Sequence, residues 1–405
     1  MNAAVKNFRD DVEATYAVDS NRDREPMKAR ARFPEYRRRG SAPSSAGGMH
    51  CRRSKRWTWG SGRGARSLNM RAFAGAIAFA VASVASSVLG VHVDMVTIGN
   101  PGNPGNPATT TGLGAVSDIF QISKYETTNA QYVEFLTSVG GTNPGGIYNP
   151  NMGLDPLGGI VQAGSSGTFT YSVKSGTNPQ GVAYANLPVN FVSWFSAARF
   201  VNWVQNGEST NPATLETGAY TLNGATNGPL PGRNPGATVF LPSLNEWYKA
   251  AFHDSVNGGD NYYDWGLASD TKPANDVSDL SLVNAANYGG AATPTLGPIA
   301  VGSYAGSSSY GLYDMIGNIA EMSDQPGNNA NRYMAMSGSY STQVATMDGF
   351  SASYVPSNVP GTSANGQIGF RIAAVPEPST YALLAAGVAG LGGLRWVKGR
   401  RKIAA

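Results

Sequence analysis

The chain has 405 residues, and its 51 glycines and 24 prolines against 14% charged residues describe a loop-rich globular protein and exclude a helical bundle. The formal net charge of +4 is concentrated at the ends: residues 72–375 hold 8 basic and 18 acidic residues, a net of −10, which excludes a nucleic-acid-binding body. One cysteine (Cys51) and three histidines (His50, His92, His253) exclude an intrachain disulfide framework, cysteine-based zinc sites and a three-histidine metal triad within one domain.

Residues 1–69 are polar and Arg-rich, without helical or strand periodicity. They read as a disordered leader or an over-extended gene start ahead of Met70; a nucleic-acid-binding arm would need an aromatic interleaving that is not there. Residues 70–90 combine a charge at Arg71, the apolar run AFAGAIAFAVASVASSVLG and a small-residue exit, the parts of a secretory signal peptide. Residues 91–117, with their N-P-G repeat, read as a Gly/Pro linker.

Regular structure is expected in pieces after that. In KYETTNAQYVEFLTSVGG, Tyr132, Leu136 and Val139 share a helical face, Thr128 and Gln131 suit a capping box, and Gly140-Gly141 ends the helix. A second helix follows Ser193, with Trp194, Ala197, Val201 and Val204 inward. A third follows Ser243, with Glu246 completing an S-x-x-E box. Glu134 and Glu246 read as solvated or capping carboxylates, and His253 as a helix-end histidine. TFTYSVKSG, TVFLPS, YMAMSGSYS and GFRIAAV are strand-like, so 118–375 reads as one α+β domain.

The tail 376–405 has three parts in order: Pro376-Glu377-Pro378, the apolar run Tyr381–Leu394, and a basic end carrying Arg395, Lys398, Arg400, Arg401 and Lys402. The run is short for a span, and the basic residues would hold the C-terminus on the cytoplasmic side. The combination resembles the PEP-CTERM sorting signal of exported bacterial proteins. That resemblance implies a transient inner-membrane anchor, an exosortase-type sorting enzyme as partner, and delivery to the cell surface or extracellular matrix.

The body resembles the formylglycine-generating enzyme, or sulfatase-modifying factor, family. The matching pieces are KYETTNAQYVEFL, LPVNFVSWFSAARFVNWV, VFLPSLNEWYKAAF, GSYAGSSSYGLYDMIGNIAEMSD, MSGSY and GFRIA, in the family's order. The resemblance implies an irregular domain related to the C-type lectin fold. It also makes YGLYDMIGNIAEMSD (310–324) a calcium loop, with side-chain oxygens from Asp314 and Glu321 and main-chain carbonyls from Gly317 and Ile319. Such a set suits a hard ion that wants six to eight oxygens. The alternative is a metal-free loop in which Asp314 caps a turn and Glu321 meets solvent or an arginine. A second family calcium site would begin at Asn287-Tyr288, but AATPTLG lacks its expected aspartate.

In the enzymes of the family, a cysteine pair just after the Gly-Ser-aromatic motif binds copper and oxidises a client cysteine. Here Ser341, Thr342, Thr346 and Met347 occupy that neighbourhood, and hydroxyls do not replace soft thiolates for copper. Iron chemistry likewise lacks its histidines. No nucleophile-elbow motif supports a Ser339–His253 hydrolase. The favoured expectation is therefore a non-catalytic or cryptically active surface protein binding a glycan, exopolysaccharide or another protein, with Tyr262, Tyr263 and Trp265 as binding aromatics, or else core residues. The other class is a metal-dependent oxidoreductase that modifies exported proteins.

Overall fold

The computed structural model describes residues 90–289, 297–342 and 357–376. The chain divides into two compact units, Met1–Ala82 and Ser83–Ala405, and everything described lies in the second. The leader, most of the signal segment and the tail beyond Pro376 lie outside the described residues.

The helices begin where their caps place them. α1 (Asn129–Val139) starts at Thr128, whose hydroxyl accepts from the Gln131 N–H while the Gln131 side chain accepts from Thr128 N, and it stops at Gly140. Its buried face carries Tyr132, Phe135, Leu136 and Val139. α2 (Asn151–Leu154) is a single turn. α3 (Trp194–Gln205) is capped by Ser193, and every residue from Trp194 to Trp203 is buried, so this helix runs through the core and not along the surface. α4 (Leu244–Phe252) carries the Ser243–Glu246 box and ends on His253.

Among the described residues ten strands make three sheets. They are β1 (Met95–Ile98), β2 (Phe120–Ser123), β3 (Ile160–Ala163), β4 (Thr170–Val173), β5 (Val239–Phe240), β6 (Ala320–Pro326), β7 (Arg332–Met336), β8 (Ser357–Pro360), β9 (Ile368–Gly369) and β10 (Ala373–Ala374). The first sheet runs β1-β2-β10-β5, the second pairs β3 with β4, and the third runs β8-β7-β6-β9. In the third, β6 is antiparallel to β7 with a register shift and parallel to β9.

The stretch 91–117 is not a linker. Met95–Ile98 pairs residue by residue with β2, Asn103 bridges to Val116, and the Lys249 ammonium donates to Asn100 O at 2.8 Å. The Met-Val-Thr-Ile run has the apolar and β-branched character that fits a half-buried sheet position, and the surrounding Gly and Pro only shape the loops that follow it. The strand-like runs named from sequence all contribute strands, though GFRIAAV is divided between β9 and β10.

One large apolar cluster extends from Ile98 to Ala373 and includes the stacked and edge-packed rings of Tyr132, Phe135, Phe200, Trp203 and Phe370. Residues 90–376 thus carry their own core, the condition for folding independently. The fold is α+β, with short elements joined by long irregular segments. Among the described residues no helix is long and apolar enough to cross a membrane.

Candidate functional site

The loop 310–324 delivers its last residues into β6 through four left-handed positions, Gly311 (φ 86), Asp314 (φ 58), Gly317 (φ 75) and Asn318 (φ 56). Gly317 is dictated by space as well as by φ, because a Cβ there would meet Asn287 O at 2.1 Å. Asn318 is buried: its amide donates to Glu126 Oε1 at 3.0 Å, and its oxygen accepts from Ile299 N at 2.9 Å. The turn is therefore tied to segments distant in sequence on both sides.

Glu321 has no exposed surface. Its Oε1 accepts from Arg371 Nη2 at 2.6 Å, and its Oε2 accepts from Arg371 Nε and from the Trp247 indole N–H at 2.7 Å. Arg371 is equally buried, and its remaining donors reach Ser123 O (3.0 Å), Lys124 O (3.4 Å) and Tyr313 O (3.0 Å). Each of the five N–H groups of a guanidinium thus has an oxygen. Glu321 meets an arginine, as the metal-free alternative expects, and α4, β2 and β6 converge on this one pair.

Asp314 is buried beside it. Its Oδ2 accepts from Gly302 N at 2.6 Å, and its carboxyl contacts that of Glu126. Burial, then the charges of Asp314 and Glu321, push the Glu126 carboxyl well above the usual range. Burial also raises Asp314, opposed by the Gly302 N–H and by Arg371. The carbonyls of Asp314 and Gly317 both face the Ser337 hydroxyl, at 3.5 and 3.2 Å, and Ser337 itself has φ 75. Ile319 is fully buried, its side chain seated where a Cβ on Gly369 would be, 2.1 Å from Cδ1.

Sequence reasoning singled out neither Glu126 nor Arg371 as part of this cluster. Both lie inside stretches already quoted, KYETTN and GFRIA. A charged residue amid otherwise core-forming residues was the available signal.

At the expected second site, Asn287 donates to Gly297 O (3.2 Å) and to Asn318 Oδ1 (3.3 Å), while residues 290–296 lie outside the described residues. At SGSYST, the Ser339 and Ser341 hydroxyls sit 3.0 Å apart, and Thr342 Oγ1 accepts from Ser339 N at 2.9 Å. Thr346 and Met347 lie outside the described residues, as do Glu377 and Pro378 of the sorting motif; Pro376 lies within them.

The aromatic trio is not an exposed binding face. Trp265 is only 8% exposed and packs with Leu267, Ala286, Tyr288 and Ile316. The Tyr262 hydroxyl accepts from Asn103 (2.7 Å) and donates to Pro104 O (2.8 Å), and its ring meets His253 edge-on. Tyr263 is half-buried. In a domain with short elements, large rings are needed to fill the space between loops. His253 caps α4 and contacts the Tyr310 hydroxyl at 2.8 Å.

An open cleft of about 820 Å³ lies elsewhere, between the first sheet and the start of α4. Polar groups of Ser117, Asp118, Arg233, Asn234 and Asn245 line it, and Val375 and Pro376 form part of its rim. Arg233 is held there by Glu246 (2.9 Å) and Asp324 (2.7 Å), with its guanidinium 3.5 Å from the Phe240 ring centre.

Residues 95–375 match the family model described as the sulfatase-modifying factor enzyme 1-like domain. The chain belongs to that family. Residues 374–401 match the PEP-CTERM protein-sorting motif, and the pairing is the architecture of an exported, surface-sorted protein. Among solved structures, the chain is similar to variable protein 1 of Treponema denticola (18% identity, 70% of this chain and 95% of that one, TM-score 0.43). It is similar also to CarF (21%, 71% and 100%, 0.44) and to PvdO from Pseudomonas aeruginosa (14%, 70% and 92%, 0.38). Among curated proteins no relative is detectably similar. The matched residues contain no cysteine, so the thiolate chemistry of the family's oxidases has no residues to carry it here.

Proposed function

We propose that the exported domain is a non-catalytic binding module of the cell surface or extracellular matrix, built on a lectin-like scaffold, and that it takes a polysaccharide in the cleft beside Arg233. The observation that carries the first half is chemical: where the family's oxidases keep thiols, this chain has Ser341 and Thr342. The cleft supports the second half. It is open and shallow, and its Asn, Asp and Ser groups match the paired donors and acceptors of sugar hydroxyls. Before sorting, Tyr381–Leu394 would hold the chain at the inner membrane until an exosortase-type enzyme removes the tail.

The test is retention of the 90–376 segment on immobilised envelope and exopolysaccharide fractions. Asp118→Ala, on an exposed position, should abolish retention while leaving the melting temperature unchanged, and Asn245→Ala should abolish it with a small loss of stability, because Asn245 Oδ1 also accepts from Gly114 N. Retention that ignores both substitutions would remove the cleft from the reading. Oxygen uptake with thiol peptides would remove the non-catalytic half.

A further inference from the structure

We propose that the loop 310–324 is locked by two groups of the chain itself, the Arg371 guanidinium and the Ser337 hydroxyl, in the place where the family resemblance puts a calcium ion.

The donor set expected for the ion comprises the Asp314 and Glu321 carboxylates and the Gly317 and Ile319 carbonyls. Glu321 is matched charge for charge by Arg371, through a two-point contact with no water on either side. A divalent ion on either Glu321 oxygen would stand a few ångströms from a fixed positive charge, and burial leaves little solvent to screen that repulsion. Arg371 cannot swing aside at low cost. Doing so would strip its other N–H groups from Ser123, Lys124 and Tyr313, all inside the domain.

The carbonyls tell the same way. Calcium draws its oxygens to about 2.3–2.6 Å. Here the Asp314 and Gly317 carbonyls stand 3.5 and 3.2 Å from the Ser337 oxygen, spacings that fit a hydroxyl shared between them. Ser337 reaches that position only through a left-handed backbone (φ 75), which residues with a side chain seldom adopt and which its two bonds help to hold. One oxygen of the Asp314 side chain, Oδ2, is taken by Gly302 N at 2.6 Å. Cation, hydroxyl and backbone N–H thus stand on three of the four groups expected for a metal, the Glu321 carboxylate, the Gly317 carbonyl and the Oδ2 of Asp314.

Terbium tests this directly, because it is calcium-sized and emits when excited through a nearby indole, and the Trp247 indole touches Glu321 Oε2 at 2.7 Å. The 90–376 segment should show no terbium emission that depends on Trp247. Its melting temperature should be the same in calcium as in chelator, and Arg371→Met should lower it equally in both. Terbium emission that calcium displaces and Trp247→Phe abolishes would overturn the proposal. So would a saturable calcium-induced rise in melting temperature that Trp247→Phe leaves in place and Glu321→Gln removes.

Discussion

Arg371 and Glu321 face each other from opposite ends of the family match's last segment, 50 residues apart in sequence, and neither side chain has any exposed surface. Burying two charges is costly, and only the completeness of the hydrogen bonding around them offsets it. Removing one partner leaves the other uncompensated. Arg371→Met should therefore destabilise the 90–376 segment by about 3–5 kcal/mol in urea unfolding. Combining it with Glu321→Leu should cost less than either change alone. A double variant as unstable as the sum of the two would mean that the pair is not coupled.

The Ser243–Glu246 box offers a graded test of local structure. Ser243→Ala removes the cap alone and should cost about 1 kcal/mol. Glu246→Ala should cost more, because Glu246 also accepts from Arg233 and so holds the floor of the cleft. The same two variants should rank in the same order for loss of polysaccharide retention, with Ser243→Ala nearly silent.

His253 should give the domain a pH dependence on the acid side. Burial lowers its pKa, and the nearby Lys249 charge adds to this. A group with a depressed folded pKa contributes stability that is complete above its unfolded value, about 6.5, and is lost as pH falls through the folded value. The stability gap between wild type and His253→Gln should shrink between about pH 7 and pH 5. A constant gap over that range would show that the imidazole does not titrate with unfolding.

Trp265 separates packing from recognition. Trp265→Ala should cost about 3–5 kcal/mol, the usual effect of emptying a large buried ring site. Retention on polysaccharide, measured on the folded fraction, should be unchanged.

What the sequence disclosed depended on whether the information was local. Thr128 with Gln131, and Ser243 with Glu246, interact three residues apart, and both boxes form. The apolar periodicity of α1 marked its buried face, with Tyr132 and Leu136 inward, whereas α3 is buried all round from Trp194 to Trp203, which periodicity does not disclose. β1 was hidden because four strand-forming residues sit in a stretch whose composition is dominated by Gly, Pro and Asn. The site was harder. Asp314 and Glu321 are seven residues apart, but their chemistry is set by Glu126, Gly302, Ser337 and Arg371, which only the tertiary fold brings near. For Trp265, flanked by Gly, Asp and Asn, the sequence leaves binding aromatic and core residue both open, because burial by Tyr288 and Ile316 is a long-range property.

β10 lies between β2 and β5 and is the last strand before the sorting tail. A pull on that tail passes Val375, whose N–H donates to Thr238 O, and then must slide Ala374 and Ala373 against neighbours on both sides. Two residues further in stands Arg371, pinned at five points. The tail is thus fastened to the middle of a sheet and backed by a rivet, and load arriving from the C-terminal end meets a strand held on both sides before it can peel an edge.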